Sequence, residues 1–581
     1  MTDRPKPSSP WADRIEIGAS ALVAAGASIA YGITFGFTYG VNNQVDYMLH
    51  ALRLLDPSVL ANDWFTTHTL DYHPTFAYLG WFLLRVGGRD GWGVGIATVV
   101  AAAAGAMCVY WLARRMLPRA LALPTFLLTL LAMLVTGTRE LAGTYGFDPI
   151  FQPSTVASVA LIASMAPFVE GRWLLSGILL AIGGLFHANY LVLGIASFGL
   201  AHALLGRDDW RRRVLRHLGP SFVVLVLLSP VILAAARAPD AARAQQILFE
   251  IRSPHHYRVR DYVGEFFPLL AWHTLGLGLA GWLFRTGRGR GRRFAALLLG
   301  LLAVVWVGSV LAGVFDVKRV TQLFVWRFAP YVDLLMQFVV AATVARCLLT
   351  PSAPLRLDRT AMGVALASAA ALALLLAFRN KPALEWLEWM VVLGAAGGAV
   401  RLVLANRRIA ALASRVPELA RTYAPTVAGA AAALLLFVSA VRPQLDSVHA
   451  RSNLMTGMRG PESELYAWIR ANTPKDAQIL SPPGLERFRL ASERAIVADW
   501  KSASLTELVE WYRRLEDVSG RRGFRTRDEV CAGYDALDKR RLDALRDEYK
   551  LTYAVVQRGH EGSLERPVVY QNGAFAVLDL R

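Results

Sequence analysis

Apolar runs long enough to cross a bilayer recur along this chain down to residue 441, and they limit its fold more than any other feature. Each is about 17–22 residues, the length a helix needs to span a hydrocarbon core of roughly 30 Å. Of 581 residues, 55% are apolar, well beyond the range of a soluble enzyme. The reading is a polytopic α-helical membrane protein. The first run, Ile15 to Gly40, is too long for the apolar stretch of a cleavable signal and reads as a signal anchor.

The net charge of +18 does not point to nucleic acid. Most of the excess is arginine in short loops between the runs, which is how orientation in a membrane is set. Arg4, Lys6 and Arg14 precede the first run. "ARRMLPR" (113–119), "GRDDWRRRVLRH" (206–217), "RTGRGRGRR" (285–293), "RLDR" (356–359) and "RLVLANRRIAALASR" (401–415) follow at intervals. With all of these on the cytoplasmic side, the expected spans are 15–40, 91–113, 120–137, 153–169, 174–186, 189–205, 218–236, 265–284, 294–314, 328–348, 360–378, 385–403 and 424–441. That is about thirteen, with the N-terminus inside and the C-terminus outside. Pro74 to Val86 is short for a span and reads as a half-helix at the outer surface. The polar "HAN" (187–189) argues for a turn within 174–205. Cys108, Cys347 and Cys531 are too few and too scattered for a disulfide framework or a zinc site.

This topology gathers polar residues on the outer side. The first outer loop, about 41–90, holds Asn42, Asn43, Asp46, Asp56, Asp63, His68, Asp71 and His73. The second holds Arg139, Glu140 and Asp148, and His187 and Asn189 mark the third. A long loop over 237–262 carries Arg252, His255 and His256, and the fifth carries Lys318, Arg319 and Arg327. The inner loops are short, arginine-rich and nearly free of histidine, so the asymmetry points to an outward-facing cavity. Simpler roles exist for each residue. Asp63 and Asp148 stand where carboxylates cap helix N-termini, and the cations could flank a span end and snorkel. Placed outside, against the usual charge bias, Lys318, Arg319 and Arg327 point to an anion site. The adjacent histidines of "SPHHY" (253–257) have no third ligand at a fixed spacing, so no metal site is assigned to them.

After about residue 442 the apolar runs stop. "GPESELYAWIRANTPKDAQIL" (460–480) reads as an amphipathic helix followed by a strand. "RAIVADW" (494–500) and "TYAVVQR" (552–558) read as buried strands. "VVYQNGAFAVLDL" (568–580) carries Asn572-Gly573 between apolar runs, a hairpin signal. Charged helices fill 505–549. The expected organisation is a membrane domain over 1–441 and an extramembrane α/β domain over 442–581.

On these residues the chain resembles the GT-C superfamily of integral-membrane glycosyltransferases, near the protein O-mannosyltransferases and the lipid A aminoarabinose transferase. "DYHPTF" (71–76) is similar to the loop motif that opens a juxtamembrane helix, and "GTYGFDPI" (143–150) to the second-loop motif whose Asp lies near the active site. "GLFHANYLVLGI" (184–195) occupies the place of the turn between two short spans. The C-terminal "ELYAWIRANTPKDAQIL" and "VVYQNGAFAV" are similar to the extramembrane part of bacterial members. The resemblance implies transfer of a sugar from a polyprenyl-phosphate donor to an envelope acceptor at the outer face of a bacterial inner membrane, with the C-terminal domain periplasmic. It implies a carboxylate base, cations receiving the phosphate and, in some members, a divalent metal (Mg or Mn). Asp63, Asp71 or Asp46 would be the base and Asp148 would orient donor or acceptor. Lys318, Arg319 and Arg327 would clamp the phosphate, with Arg139 or Arg252 in support and His73, His187, His255 and His256 lining the substrate. One departure stands out: Asn42 and Asn43 occupy the place of an acidic pair, and Asn cannot accept a proton at neutral pH. A non-catalytic scaffold of envelope polysaccharide assembly and a lipid-linked sugar transporter remain open.

Overall fold

The computed structural model describes residues 10–349 and 460–581, except 70–72, 137–138, 207–208, 238–239, 285–288 and 505. The first of these stretches is almost wholly helical. Its order is α1 (Pro10–Thr34), α2 (Gln44–Leu55), α3 (Trp64–His68), α4 (Pro74–Gly87), α5 (Trp92–Met116) and α6 (Arg119–Thr136). A small antiparallel ribbon of β1 (Arg139–Glu140) and β2 (Thr144–Tyr145) follows. Then come α7 (Pro153–Glu170), α8 (Trp173–Phe186), α9 (Ala188–Leu204), α10 (Trp210–Arg237), α11 (Ala241–Gln246), α12 (Pro254–Tyr257), α13 (Val263–Phe284), α14 (Arg290–Gly313), α15 (Lys318–Gln322) and α16 (Ala329–Leu349).

Among the described residues, five helical stretches are long and apolar enough to cross a membrane: Glu16–Thr34, Trp92–Met116, Pro153–Glu170, Arg290–Gly313 and Val325–Arg346. A sixth is added if Val259–Phe266 and Leu269–Phe284 form one bent span. The protein is a multi-pass membrane protein. A helix lies on each run expected up to residue 349, while the expected spans 360–378, 385–403 and 424–441, and the boundary at 441, lie outside the described residues. The first helix ends at Thr34 rather than Gly40, because Gly36 and Gly40 take left-handed backbone angles of 75° and 68° in φ that a helix cannot continue through.

Local chemistry accounts for the ends that matter to the site. Pro74 and Pro153 open α4 and α7 at the position where a missing N–H costs nothing. The Gln152 backbone N–H donates to Thr155 Oγ1 at 3.1 Å, closing the start of α7. Between α8 and α9 only His187 is left out of helix, so the expected turn is a single residue wide. Helix α4 lies tightly along α2: a Cβ at Gly80 would come within 2.9 Å of the Ala51 Cβ.

The second stretch contains α17 (Pro461–Asn472), β3 (Gln478–Leu480), α18 (Phe488–Ser492), β4 (Ala495–Ile496), α19 (Leu508–Ser519), α20 (Arg527–Asp535), α21 (Lys539–Tyr549), β5 (Tyr553–Gln557), β6 (Val568–Gln571) and β7 (Phe575–Asp579). Its sheet runs β4-β3-β5-β7-β6, parallel at β4/β3/β5 and antiparallel through β7 and β6. Asn572 makes the expected hairpin turn, its Oδ1 accepting from the N–H groups of Ala574 and Phe575 at 3.0 and 2.9 Å. The strand expected over 494–500 shrinks to Ala495–Ile496. The cause is Asp499, whose Oδ1 accepts from the backbone N–H of Lys501 and Ser502 at 2.8 and 2.6 Å and turns the chain.

These two stretches share a core. Met48, Leu52 and Phe65 of the first outer loop pack in one buried cluster with Leu490, Trp511 and Leu515. Each such side chain contributes about 1.5–3 kcal/mol by leaving water, so α2–α4 and the C-terminal part are welded rather than tethered.

Candidate active site

The site is built around Arg327, in the single turn Val325–Phe328 that leads into α16. Its Nη1 stands 2.9 Å from His187 Nε2, and its guanidinium lies 5.0 Å over the Phe324 ring and 5.8 Å over Tyr190. Arginine can only donate, so Nε2 accepts and the His187 proton sits on Nδ1. Burial, reinforced by Arg327, holds His187 well below the usual histidine range, so the ring is neutral. Three polar atoms here are buried without a hydrogen-bond partner among the described residues: Arg327 Nε, His187 Nδ1 and Asn189 Oδ1. The Asn189 amide itself donates to the Leu323 carbonyl. Two donors and an acceptor left unmet at one buried point are what a bound molecule or ordered water would satisfy.

Asp148 is the carboxylate of this cluster. Its Oδ2 accepts from Ser154 Oγ at 3.2 Å and from Gln152 Nε2, and its Oδ1 takes only a long bond, 3.4 Å, from the Ile150 N–H. Burial raises its pKa to about 6, against the pull of these bonds and of the Arg327 charge. Asn43, at the head of α2, donates to Gln152 Oε1 at 3.0 Å and so fixes the side chain that holds Asp148. Nearby, Tyr331 donates to Tyr190 across 2.8 Å.

His73 closes the cluster from the first outer loop. It takes a left-handed backbone conformation, φ 54°, which costs a non-glycine residue about 1–3 kcal/mol and is overdetermined here by packing. Its Nδ1 donates to the Phe186 carbonyl at 3.0 Å, and its ring lies 5.3 Å from His187 and 5.1 Å from Tyr47. Burial lowers its pKa to about 4. His256 donates from Nδ1 to the Ala142 carbonyl at 2.8 Å and packs on Phe324. Burial, with His255 beside it, lowers it to about 3.

The other expected carboxylates lie elsewhere. Asp63 caps α3, its Oδ1 accepting from the Thr66 N–H at 3.1 Å, while its Oδ2 pairs with Arg489 Nε at 2.7 Å and accepts from the Ile496 N–H at 3.2 Å. Arg489 also pairs through Nη1 with Asp499 at 2.6 Å, and all three side chains are 0–1% exposed. Asp63 is thus a clasp between loop and C-terminal part, its charge met by Arg489 at 2.7 Å. Asp46 joins the same network, accepting from Ser502 Oγ at 2.7 Å, and Ser502 also donates to Asp499. Burial and the neighbouring Asp499 push the Asp46 carboxyl well above its usual range. Arg252 donates to the Lys501 carbonyl at 2.8 Å.

Of the residues expected from sequence, Asp148, His73, His187, His256 and Arg327 come together. Arg139 lies in β1 and His255 in α12 beside His256. Lys318 and Arg319 stand exposed on α15. They are parted from Arg327 because the chain reverses at Phe324, φ 47°. Asp71 lies outside the described residues. Sequence reading missed Gln152, Tyr190, Tyr331, Arg489, Asp499 and Ser502. Only Gln152 carried a signal, the Gln-Pro-Ser-Thr start of α7.

Among the described residues, which leave out Asp71, the cluster is a poor match for a divalent metal. Mg and Mn want several oxygen ligands, whereas Asp148 is the carboxylate here and an arginine stands beside it. Among the described residues no group of three or more His, Cys, Asp or Glu side chains could hold an ion.

Residues 71–233 match the dolichyl-phosphate-mannose-protein mannosyltransferase family, and residues 460–518 a domain of unknown function, DUF6798. No curated protein matches the chain. Among solved structures, ArnT from Cupriavidus metallidurans bound to undecaprenyl phosphate is similar at 14% identity over 97% of this chain and 98% of that one, with a TM-score of 0.46. The apo form is similar at 12% identity over the same shares, with a TM-score of 0.47. Over residues 71–233, the stretch that carries His73, Asp148 and His187, the chain matches a membrane mannosyltransferase family, and there its resemblance to the GT-C glycosyltransferases is borne out.

Proposed function

We propose that this chain is a membrane glycosyltransferase that moves a sugar from a polyprenyl-phosphate donor to an envelope acceptor at the outer face of a bacterial inner membrane. The observation that carries this reading is Arg327. It is a part-buried guanidinium whose Nε is buried and unmet, with no carboxylate in ion-pair distance among the described residues, beside a neutral histidine and two further unmet polar atoms. A buried cation left uncompensated is costly, and a ligand phosphate relieves that cost. The donor class follows the 71–233 match, whose family name carries a sugar on a dolichyl phosphate.

In this reading the acceptor oxygen attacks the anomeric carbon as the bond from that carbon to the phosphate oxygen breaks. The hydroxyl proton passes to Asp148 and the electron pair leaves with the phosphate, whose charge Arg327 receives. A base with a pKa of about 6 is charged at neutral pH yet still basic enough to take a proton. Asn43, standing where the family has an acid, serves Asp148 through Gln152 instead of titrating itself. No step is routed through a metal, and turnover that survives chelation by EDTA is the expected outcome.

The test is binding of undecaprenyl phosphate to the purified protein, followed as a thermal shift, since a ligand of the folded state must raise its apparent stability. A saturable shift is expected in the wild type and in Asp148→Asn, and none in Arg327→Gln. A well-folded wild type that does not respond overturns the reading. The Asn42-Asn43 pair favours one alternative, a scaffold that binds the lipid without chemistry. Binding without transfer from any donor sugar would select it.

A further inference from the structure

A second pair of cations stands where three parts of the chain meet: α2, the turn Ile247–Arg252 and the loop after β4. Arg252 donates through Nη2 to the Lys501 carbonyl at 2.8 Å, and its Nε is buried without a partner among the described residues. The Lys501 backbone is pinned by Asp499. Its half-buried ammonium has no ion pair or hydrogen bond among the described residues, yet lies close enough to Arg252 for the two charges to repel. The carboxylates that act on Lys501 are Asp46, Glu486 and Asp499, and each has another partner: Glu486 pairs with Arg527 at 3.5 Å. Asp499 is paired with Arg489, and Asp46 accepts from Ser502 at 2.7 Å. Burial further favours the protonated, uncharged Asp46. The junction therefore carries two cations, one with an unmet buried N–H, beside carboxylates whose oxygens are bonded elsewhere.

We infer that Arg252 and Lys501 form an anion subsite for a phosphate-type oxyanion, built jointly by the membrane part and the C-terminal domain beside the Arg327 cluster. The inference rests on the proposed function only for its choice of lipid probe. Arginine gives the forked donor pair that suits such an oxyanion and lysine a point charge. The oxyanion could be carried by a lipid or be free phosphate, and two probes separate these sources. The C-terminal domain thereby takes part in binding instead of merely covering the site.

The experiment compares thermal shifts of the full chain with inorganic phosphate and with undecaprenyl phosphate, in the wild type, Lys501→Met, Arg252→Gln and Arg327→Gln. The expected result is that Lys501→Met and Arg252→Gln weaken the response to at least one probe tenfold or more, while Lys501→Arg restores it. Loss confined to the lipid assigns the subsite to a lipid headgroup, and loss with inorganic phosphate assigns it to phosphate in any form. Lys501→Met should melt with the wild type when no probe is present, because its ammonium holds nothing among the described residues. The subsite is overturned if both variants respond to both probes as the wild type does, or if neither probe shifts the wild type. Failure of the proposed function reads separately, as an undecaprenyl phosphate response of Lys501→Met that adding Arg327→Gln leaves intact.

Discussion

Arg489 and Arg327 are both arginines set deep in the molecule, and their circumstances are opposite. Arg489 lies between two buried carboxylates, Asp63 and Asp499, at 2.7 and 2.6 Å. Arg327 rests on aromatic rings and a neutral histidine, with no carboxylate in ion-pair distance among the described residues. A charge that the protein neutralises with its own groups holds structure together. A charge left unanswered in a buried place is available to something else. The contrast, and not residue type, separates Asp63 from Asp148.

The contrast can be broken by exchanging the consequences. Arg489→Met leaves Asp63 and Asp499 buried without their partner, and the expected loss of stability is about 3–5 kcal/mol, read as a fall in thermal midpoint or in recovery of folded protein. Arg327→Gln should cost clearly less, because it leaves no ion-paired carboxylate stranded and gives up only the His187 bond and ring contacts. Equal destabilisation by the two variants would collapse the distinction. Asp148→Asn should lower turnover about 10²–10⁴-fold with donor binding kept, measured as sugar transfer beside lipid binding.

Protonation sharpens the same comparison. The Asp148 pKa rises on folding from 3.8 to about 6. Its protonated form is therefore favoured by the fold, so its contribution to stability is complete below about pH 4 and is lost as pH rises through 6. Turnover should move the other way, climbing through pH 6 as the base ionises. Asp148→Asn should flatten the matching part of the stability profile, which a pH series of melting curves would reveal. The smallest effect belongs to the rim of the clasp. Lys475 is largely exposed and pairs with Asp56 at 3.1 Å, so Lys475→Ala should cost under about 1 kcal/mol, less at high salt.

How much of this was legible beforehand follows from the range of each signal. Helices α5 to α9 stand on the apolar runs that announced them, and His187 sits at the turn that a polar triplet marked. Asn572-Gly573 makes its hairpin. These are local patterns, read within a few residues. The Asp63–Arg489 pair joins positions 426 residues apart, and nothing near either end announces the other. Lys318, Arg319 and Arg327 looked alike as neighbouring cations. A left-handed residue at Phe324, invisible in composition, stands between two exposed cations and a third that is half-buried, with its Nε fully so.

The shared core of the first outer loop and the C-terminal part also sets an order of events during synthesis. The ribosome delivers Met48, Phe65 and Asp63 hundreds of residues before Leu490, Arg489 and Trp511. Until those arrive, a half-built loop with apolar side chains and an unpaired carboxylate stands at the membrane surface. Chains released early lack that seal, which leaves the loop after α1 open to proteolysis and makes completion of translation a condition for a finished site.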